Sequence, residues 1–224
     1  MLVRDVELVV FDLAGTTVED RGQVAEAFTS ALAEHGVSVT PEQLRAVRGA
    51  SKRQAVLRFV PEGPERARRA EEVYAAFRAH LQRLYAEKVR AIPGAEETFA
   101  WLRERGIRVA LNTGIDRDIT GLLLGALGWG RDSVDVVICG DEVPQGRPAP
   151  YLIFRAMEAT STWSVHRVLN VGDTVLDLEA AQNVGVRYSV GVLSGAHERA
   201  QLEQVPHTHL LSSVAALPAL WSRA

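Results

Sequence analysis

A doubly wound parallel α/β sheet with an inserted all-helical domain is the fold class this sequence predicts, on three observations. Five runs of aliphatic and β-branched residues recur along the chain, each closed by a glycine or a turn. Stretches with apolar residues at helical spacing lie between them. One interval, from about Arg21 to Val89, carries helical patterns and no strand. Strand and helix in alternation produce parallel strands whose crossover helices cover both faces of the sheet.

The elements follow in order. VELVVFDL (Val6 to Leu13) is continuous, β-branched and ended by Gly15, as a strand buried on both faces must be. QVAEAFTSALAEHG has helical periodicity and a glycine stop, PEQLRAVRG and SKRQAVLRFV follow, and ERARRAEEVYAAFRAHLQRLYAEKV is long and amphipathic. Its arginines alternate with glutamates, which predicts a solvated helix face rather than a nucleic-acid surface. Pro93-Gly94 marks the return to the sheet. The domains expected are therefore residues 1–20 with 90–224 as the α/β core, and 21–89 as the helical insert. IRVALNTG, VDVVICG, RVLNVGD and RYSVGVLSG read as the remaining strands. Helices AEETFAWLRERG, DRDITGLLLGALG, PAPYLIFRAMEAT and LDLEAAQNVG accompany them, and HTHLLSS (His207 to Ser213) offers an edge strand.

Composition narrows the function. The formal charge of −3 supplies no field for nucleic acid or an acidic membrane. No apolar run reaches the ~18 residues of a membrane helix. Cys139 is the only cysteine, so no disulfide forms within the chain, and a reducing cytoplasm is the expected location. Lysine is scarce: of 25 basic residues only Lys52 and Lys88 are lysines.

Ligands of open parallel sheets gather at the carboxyl ends of the strands. There the sequence places Asp12, then Asn112-Thr113-Gly114, then Gly172-Asp173 with Asp177 four residues on, and Arg147 ahead of Pro148 at a helix start. Clustered carboxylates call for a cation, and oxygen ligands favour a hard one such as Mg²⁺. A carboxylate also attacks phosphorus to give an acyl phosphate. Thr113 and the Gly114 amide suit phosphate oxygens, and Arg147 suits their charge. Taken singly, Asp173 and Thr113 also read as helix caps and Arg147 as a surface residue; the ordered set points to one site.

FDLAGTT, LNTG, GRPAP and VGDTVLD, in this order and spacing, resemble the four motifs of the haloacid dehalogenase (HAD) superfamily. The resemblance covers essentially the whole chain. It implies a HAD-like Rossmannoid core with the insert as a cap domain that closes over the site. It implies Asp12 as nucleophile, and Mg²⁺ held by Asp12, the Ala14 carbonyl and Asp173 with Asp177 close by. Gly15 and Thr16 shape the loop between them, and Thr113, Gly114 and Arg147 bind the phosphoryl group.

Most phosphatases of that superfamily carry a second aspartate two residues after the nucleophile, which protonates the leaving alkoxide. Ala14 does neither this nor the later activation of water. DLAGTT and the arginine at position 147 resemble phosphonoacetaldehyde hydrolases (phosphonatases) and their phosphonatase-like relatives. In that reaction a lysine condenses with the substrate carbonyl, and the carbon leaves phosphorus as a neutral enamine. Lys52 is placed for that task. Ser51 and Gln54 have capping-box spacing, which makes Lys52 the first helical residue. The helix dipole, with Arg45, Arg48 and Arg53, then disfavours its ammonium form. The plain alternative is a solvated charge on a surface helix. Gly49-Ala50-Ser51-Lys52 resembles the phosphonatase glycine and Schiff-base lysine.

Two positions depart from that pattern: Ala55 stands where phosphonatases have histidine, and Ile115 where they have tyrosine. Another 2-oxoalkylphosphonate fits such a pocket better than phosphonoacetaldehyde itself. The expected activity is Mg²⁺-dependent cleavage of a C–P bond in a small phosphonate through Asp12 and Lys52. A HAD-type phosphomonoesterase and a non-catalytic phosphate- or phosphonate-binding module are the alternatives. The resemblance also makes a homodimer the expected assembly, though no residue demands it. His207 and His209 share one face of the edge strand and lack a third ligand, which predicts a surface role.

Overall fold

The computed structural model describes residues 3–87 and 89–221. Lys88, the second lysine, lies outside the described residues. Six parallel strands form one sheet in the order β3-β2-β1-β4-β5-β6. They are β1 (Leu8–Asp12), β2 (Arg108–Asn112), β3 (Val136–Ile138), β4 (Val168–Gly172), β5 (Tyr188–Val192) and β6 (His209–Leu211). Each sequence-predicted strand is present, shortened at its ends, and the edge strand expected near His207 is β6.

Alternation along β1 explains the two-faced core. Val9 and Phe11 point into a cluster with Phe99, Leu102, Ile119 and Leu123. Leu8 and Val10 point into another with Leu152, Ile153, Ala156 and Ala180. The first pair of helices is α5 (Ala95–Arg103) with α6 (Arg117–Leu127), and the second is α7 (Tyr151–Ala159) with α8 (Val175–Val184). A short α9 (Arg199–Leu202) follows β5. Strands buried on both faces have no polar side to show, which is why their sequences read as continuous apolar runs.

Between β1 and α5 lie α1 (Gln23–Glu34), α2 (Pro41–Ala46), α3 (Lys52–Phe59) and α4 (Arg66–Glu87). No strand occurs there among the described residues, as expected. Phe28, Val56, Phe77 and Leu81 of this insert are buried in the same cluster as Val9 and Phe11 of the sheet. Phe28 and Phe77 meet edge to face at 5.7 Å. The α2 start is fixed by Thr40, whose hydroxyl accepts the Gln43 amide while the Gln43 side chain accepts the Thr40 amide.

The strand order reverses between β1 and β4, because β1 pairs with β2 on one side and β4 on the other. Connections leave β1 and β4 in opposite directions, so a crevice opens beyond their carboxyl ends. The residues at that crevice are Asp12 and Asp173.

Candidate active site

The loop after β1 presents Asp12 and Ala14 together. Thr16, Thr17 and Val18 amides all donate back to the Leu13 carbonyl, and the Gly15 amide donates to Val18 at 2.7 Å. The chain thus curls around Ala14 and engages the groups on either side of it. Among the described residues nothing donates to the Ala14 carbonyl itself. Gly15 is required here: its φ is +92°, and a Cβ would sit 2.5 Å from the Asp173 carboxylate. Gly15 and Thr16 therefore act as supports for Asp173 rather than as cavity walls. The Thr16 hydroxyl donates to Asp173 Oδ1 at 3.1 Å, and the Ala196 amide donates to Oδ2 at 2.6 Å.

Asp12, Asp173, Asp177 and Arg147 are all buried. Arg147 Nη2 lies 2.6 Å from Asp12 Oδ1, and Nη1 bonds Asp177 Oδ1. Asp177 also caps its own helix, accepting the Thr174 amide at 3.1 Å and the Thr174 hydroxyl at 2.5 Å. Its carboxylate is committed to Arg147 and Thr174, and it does not line the cavity. Burial pushes the Asp12 carboxyl up to about 6, against the pull of Arg147. Burial and the neighbouring Asp12 and Asp177 hold Asp173 well above the usual carboxylate range.

Two buried carboxylates with raised affinity for protons, and a free peptide carbonyl between them, are hard oxygen donors that favour a divalent cation. The donor set of Asp12, Asp173 and the Ala14 carbonyl fits Mg²⁺ in chemical type. Among the described residues no three acidic, histidine or cysteine side chains gather as a ready metal cluster. Mg²⁺ here would therefore rest on two carboxylates, a carbonyl and water.

Thr113, Gly114 and Arg147 line the same cavity as Asp12. The Thr113 hydroxyl accepts the Ile115 amide at 3.2 Å, which turns the loop after β2. Its proton remains available to a ligand.

Lys52 opens α3, with its amide 3.3 Å from the Gly114 carbonyl and its Nζ donating to the Ala50 carbonyl at 3.0 Å. Only 8% of the residue is exposed, and it lines the cavity with Asp12. The solvated-charge alternative is thereby removed. Gly49 allows this approach: its φ is +80°, and a Cβ would meet the Thr174 hydroxyl at 2.4 Å. The amine is lowered to about 8, first by burial and then by Arg147, against the pull of Asp12 and Asp20.

That cause differs from the sequence expectation. Arg45 pairs with Glu42 and Arg53 with Glu71, so those charges are compensated. The expected Ser51–Gln54 capping box is also absent. Ser51 makes no side-chain cap, being buried against the core, and Gln54 Nε2 reaches the Pro144 carbonyl at 3.5 Å.

Other contributors were not foreseen. Asp20 lines the cavity, as do Val24, Phe28 and Leu44, and Arg48, expected only as a like charge near Lys52, lines it too. Arg48 Nη1 reaches the Ala196 carbonyl at 3.5 Å. His197 accepts the Val175 amide at 3.0 Å through Nδ1 and so closes the start of α8. The signal for this loop was the SGAH run after β5, read only as a strand end. In the segment after β3, Asp141 accepts the Arg117 amide at 3.0 Å, and Glu142 accepts the Cys139 amide at 2.6 Å.

Residues 6–185 match the haloacid dehalogenase-like hydrolase family. The chain belongs to that family and is a hydrolase, as its motifs implied. Two relatives place it on the phosphonatase-like side. The phosphonoacetaldehyde hydrolase of Parabacteroides distasonis is 33% identical over 211 residues, covering 88% of this chain and 79% of that one. That of Bacillus cereus is 31% identical over 217 residues, covering 89% and 80%. Among solved structures, a hydrolase from Pseudomonas syringae superposes with a TM-score of 0.84 at 23% identity, covering 96% of this chain and 97% of the other. A phosphonoacetaldehyde hydrolase-like protein from Oleispira antarctica gives 0.83 at 21% identity, covering 98% and 95%. At such identities these two structures bear on the fold alone.

Proposed function

We propose that the enzyme cleaves the C–P bond of phosphonoacetaldehyde or a related 2-oxoalkylphosphonate. The observation that carries this reading is that a buried lysine with a lowered pKa and a buried aspartate line one cavity. The small Ala14 side chain stands where an acid would serve an alkoxide leaving group. Names of relatives add support, since the two described above are phosphonoacetaldehyde hydrolases.

In this reading residues 21–89 are a cap that admits substrate when open and brings Lys52 over the strand ends when closed. Thr113, the Gly114 amide and Arg147 receive the phosphoryl oxygens. The neutral Lys52 amine adds to the carbonyl carbon and water leaves, giving an iminium. A carboxylate oxygen of Asp12 attacks phosphorus, the C–P bond breaks, and its electrons pass into the iminium to form a neutral enamine. Enamine protonation on carbon and hydrolysis release a methyl carbonyl product and restore Lys52. Water then hydrolyses the aspartyl phosphate to phosphate and Asp12. Asp12, Asp173 and the Ala14 carbonyl would hold Mg²⁺, which supplies positive charge for phosphoryl transfer.

Borohydride trapping in the presence of phosphonoacetaldehyde, followed by peptide mass spectrometry, tests the scheme. A reduced adduct on Lys52, lost in Lys52→Arg, is expected. Phosphate release that stops with chelator and returns with Mg²⁺ is expected alongside it. Efficient phosphomonoester turnover retained by Lys52→Met, with no adduct, would overturn it.

A further inference from the structure

The proposed reaction uses only part of the cavity. Asp12 and Lys52 address the phosphorus and the carbonyl carbon, and phosphonoacetaldehyde carries nothing beyond its aldehyde hydrogen. The wall nevertheless continues. Val24, Ala25 and Phe28 along α1, Leu44 of α2, Val47 and the core residue Ile115 all line it. Phe28, Val47 and Ile115 are buried, while Val24, Ala25 and Leu44 keep part of their surface open. Position 55 of α3, one turn beyond Lys52, is a buried alanine and adds no polar group.

Charge does not compete with this apolar face. Arg48 is the one insert guanidinium in the wall, and among the described residues it has no carboxylate partner. Asp20 lines the same wall, so beyond the reacting groups the wall carries one charge of each sign and no net charge to select a second anionic group on the ligand.

We propose that the preferred substrate is a 2-oxoalkylphosphonate whose carbonyl carries an apolar alkyl or aryl group in place of the aldehyde hydrogen. That group seats against Val24, Phe28, Leu44, Val47 and Ile115. This rests on the C–P cleavage reading above. Bond changes are unaltered: Lys52 condenses with a ketone and expels water, Asp12 takes the phosphoryl group, and the enamine hydrolyses to a methyl ketone. Overall, one water is consumed and phosphate is released. Burying each additional methylene contributes about 0.8 kcal/mol, or about fourfold in kcat/KM.

The test is phosphate release by the full chain with Mg²⁺ from a series R–CO–CH₂–phosphonate. R is hydrogen, methyl, ethyl, propyl, phenyl or carboxylate. Among the ketones, where the reacting carbonyl is constant, the expected result is a kcat/KM that climbs about fourfold per carbon from methyl through propyl. Leu44→Gln and Val24→Thr should flatten that slope. A flat or falling series among the ketones, or preference for the carboxylate member, overturns the inference. If the aldehyde is still cleaved with an adduct on Lys52, the C–P reading survives that outcome. If no member releases phosphate and no adduct forms, the C–P reading fails and this inference falls with it.

Discussion

The Arg147 guanidinium holds two carboxylates from different elements at once, Asp12 at the end of β1 through Nη2 at 2.6 Å and Asp177 of α8 through Nη1. Both carboxylates are buried, and this guanidinium is the cation in direct contact with each of them. Removing one partner of a buried pair typically costs about 3–5 kcal/mol, because the remaining charge stays desolvated. Arg147→Ala is therefore expected to lose stability on that scale in denaturant unfolding. Arg147→Lys keeps the charge but has no fork with which to reach both acids. It should unfold more easily than the parent and lose most phosphate release. A variant with parental stability would show that the two ion pairs do not hold the site.

Lys52 opposes stability. Its amine is near 8 in the folded chain against 10.5 ordinarily, and burial is the main cause. Between those values the unfolded chain binds a proton that the folded chain does not, so stability rises with pH through that window. Below about 8 the full penalty applies. Lys52→Met should therefore raise stability at pH 7, by at most about 3 kcal/mol, while abolishing adduct formation. Thermal unfolding at pH 7 and at pH 10.5 checks this: the gain should be present at the first and absent at the second. A lower melting temperature for Lys52→Met at pH 7 would contradict the burial argument.

Much of the site was legible because its residues sit where a backbone element changes. Asp12, Asn112-Thr113 and Gly172-Asp173 each follow an apolar run, and a buried strand cannot hide where it ends. Lys52 was legible as a helix start, and α3 does open there. What the sequence hid was tertiary. Ser51 looks like a capping residue in isolation, yet its packing against the core removes that role. Arg45 and Arg53 look like neighbours of the amine, yet Glu42 and Glu71 hold them. Asp20 and Arg48 carry no periodic signal, since only the folding of the insert over the strand ends brings them to the cavity.

The rate of lysine adduct formation should follow the neutral amine. With the amine near 8, about a tenth is uncharged at pH 7 and about half at pH 8. Single-turnover trapping with phosphonoacetaldehyde is therefore expected to accelerate about fivefold between those pH values, and to level off above pH 9. An ordinary solvated lysine would instead still gain about sevenfold between pH 9 and 10. Continued acceleration from pH 9 to 10 would show that burial does not set the amine's affinity for protons.

Ala14 is the final lever, because it faces the cavity two residues from Asp12 on a loop whose curl does not use its side chain. A methyl group there transfers no proton. An alkoxide leaving group needs one, whereas an enamine leaves as a neutral species. Ala14→Asp installs an acid within reach of the leaving atom without altering the hydrogen bonds that close the loop. General acid catalysis typically contributes about 10²–10⁴-fold. Turnover of phosphomonoesters should rise by about 10²-fold or more in this variant. Phosphonate cleavage should stay level or fall, since the added carboxyl assists no atom that departs in that reaction. The ratio of the two activities, measured on the same preparation, is the readout, because it cancels any loss of folded protein. A ratio that does not move would mean that the alanine is not what separates C–P cleavage from ester hydrolysis in this chain.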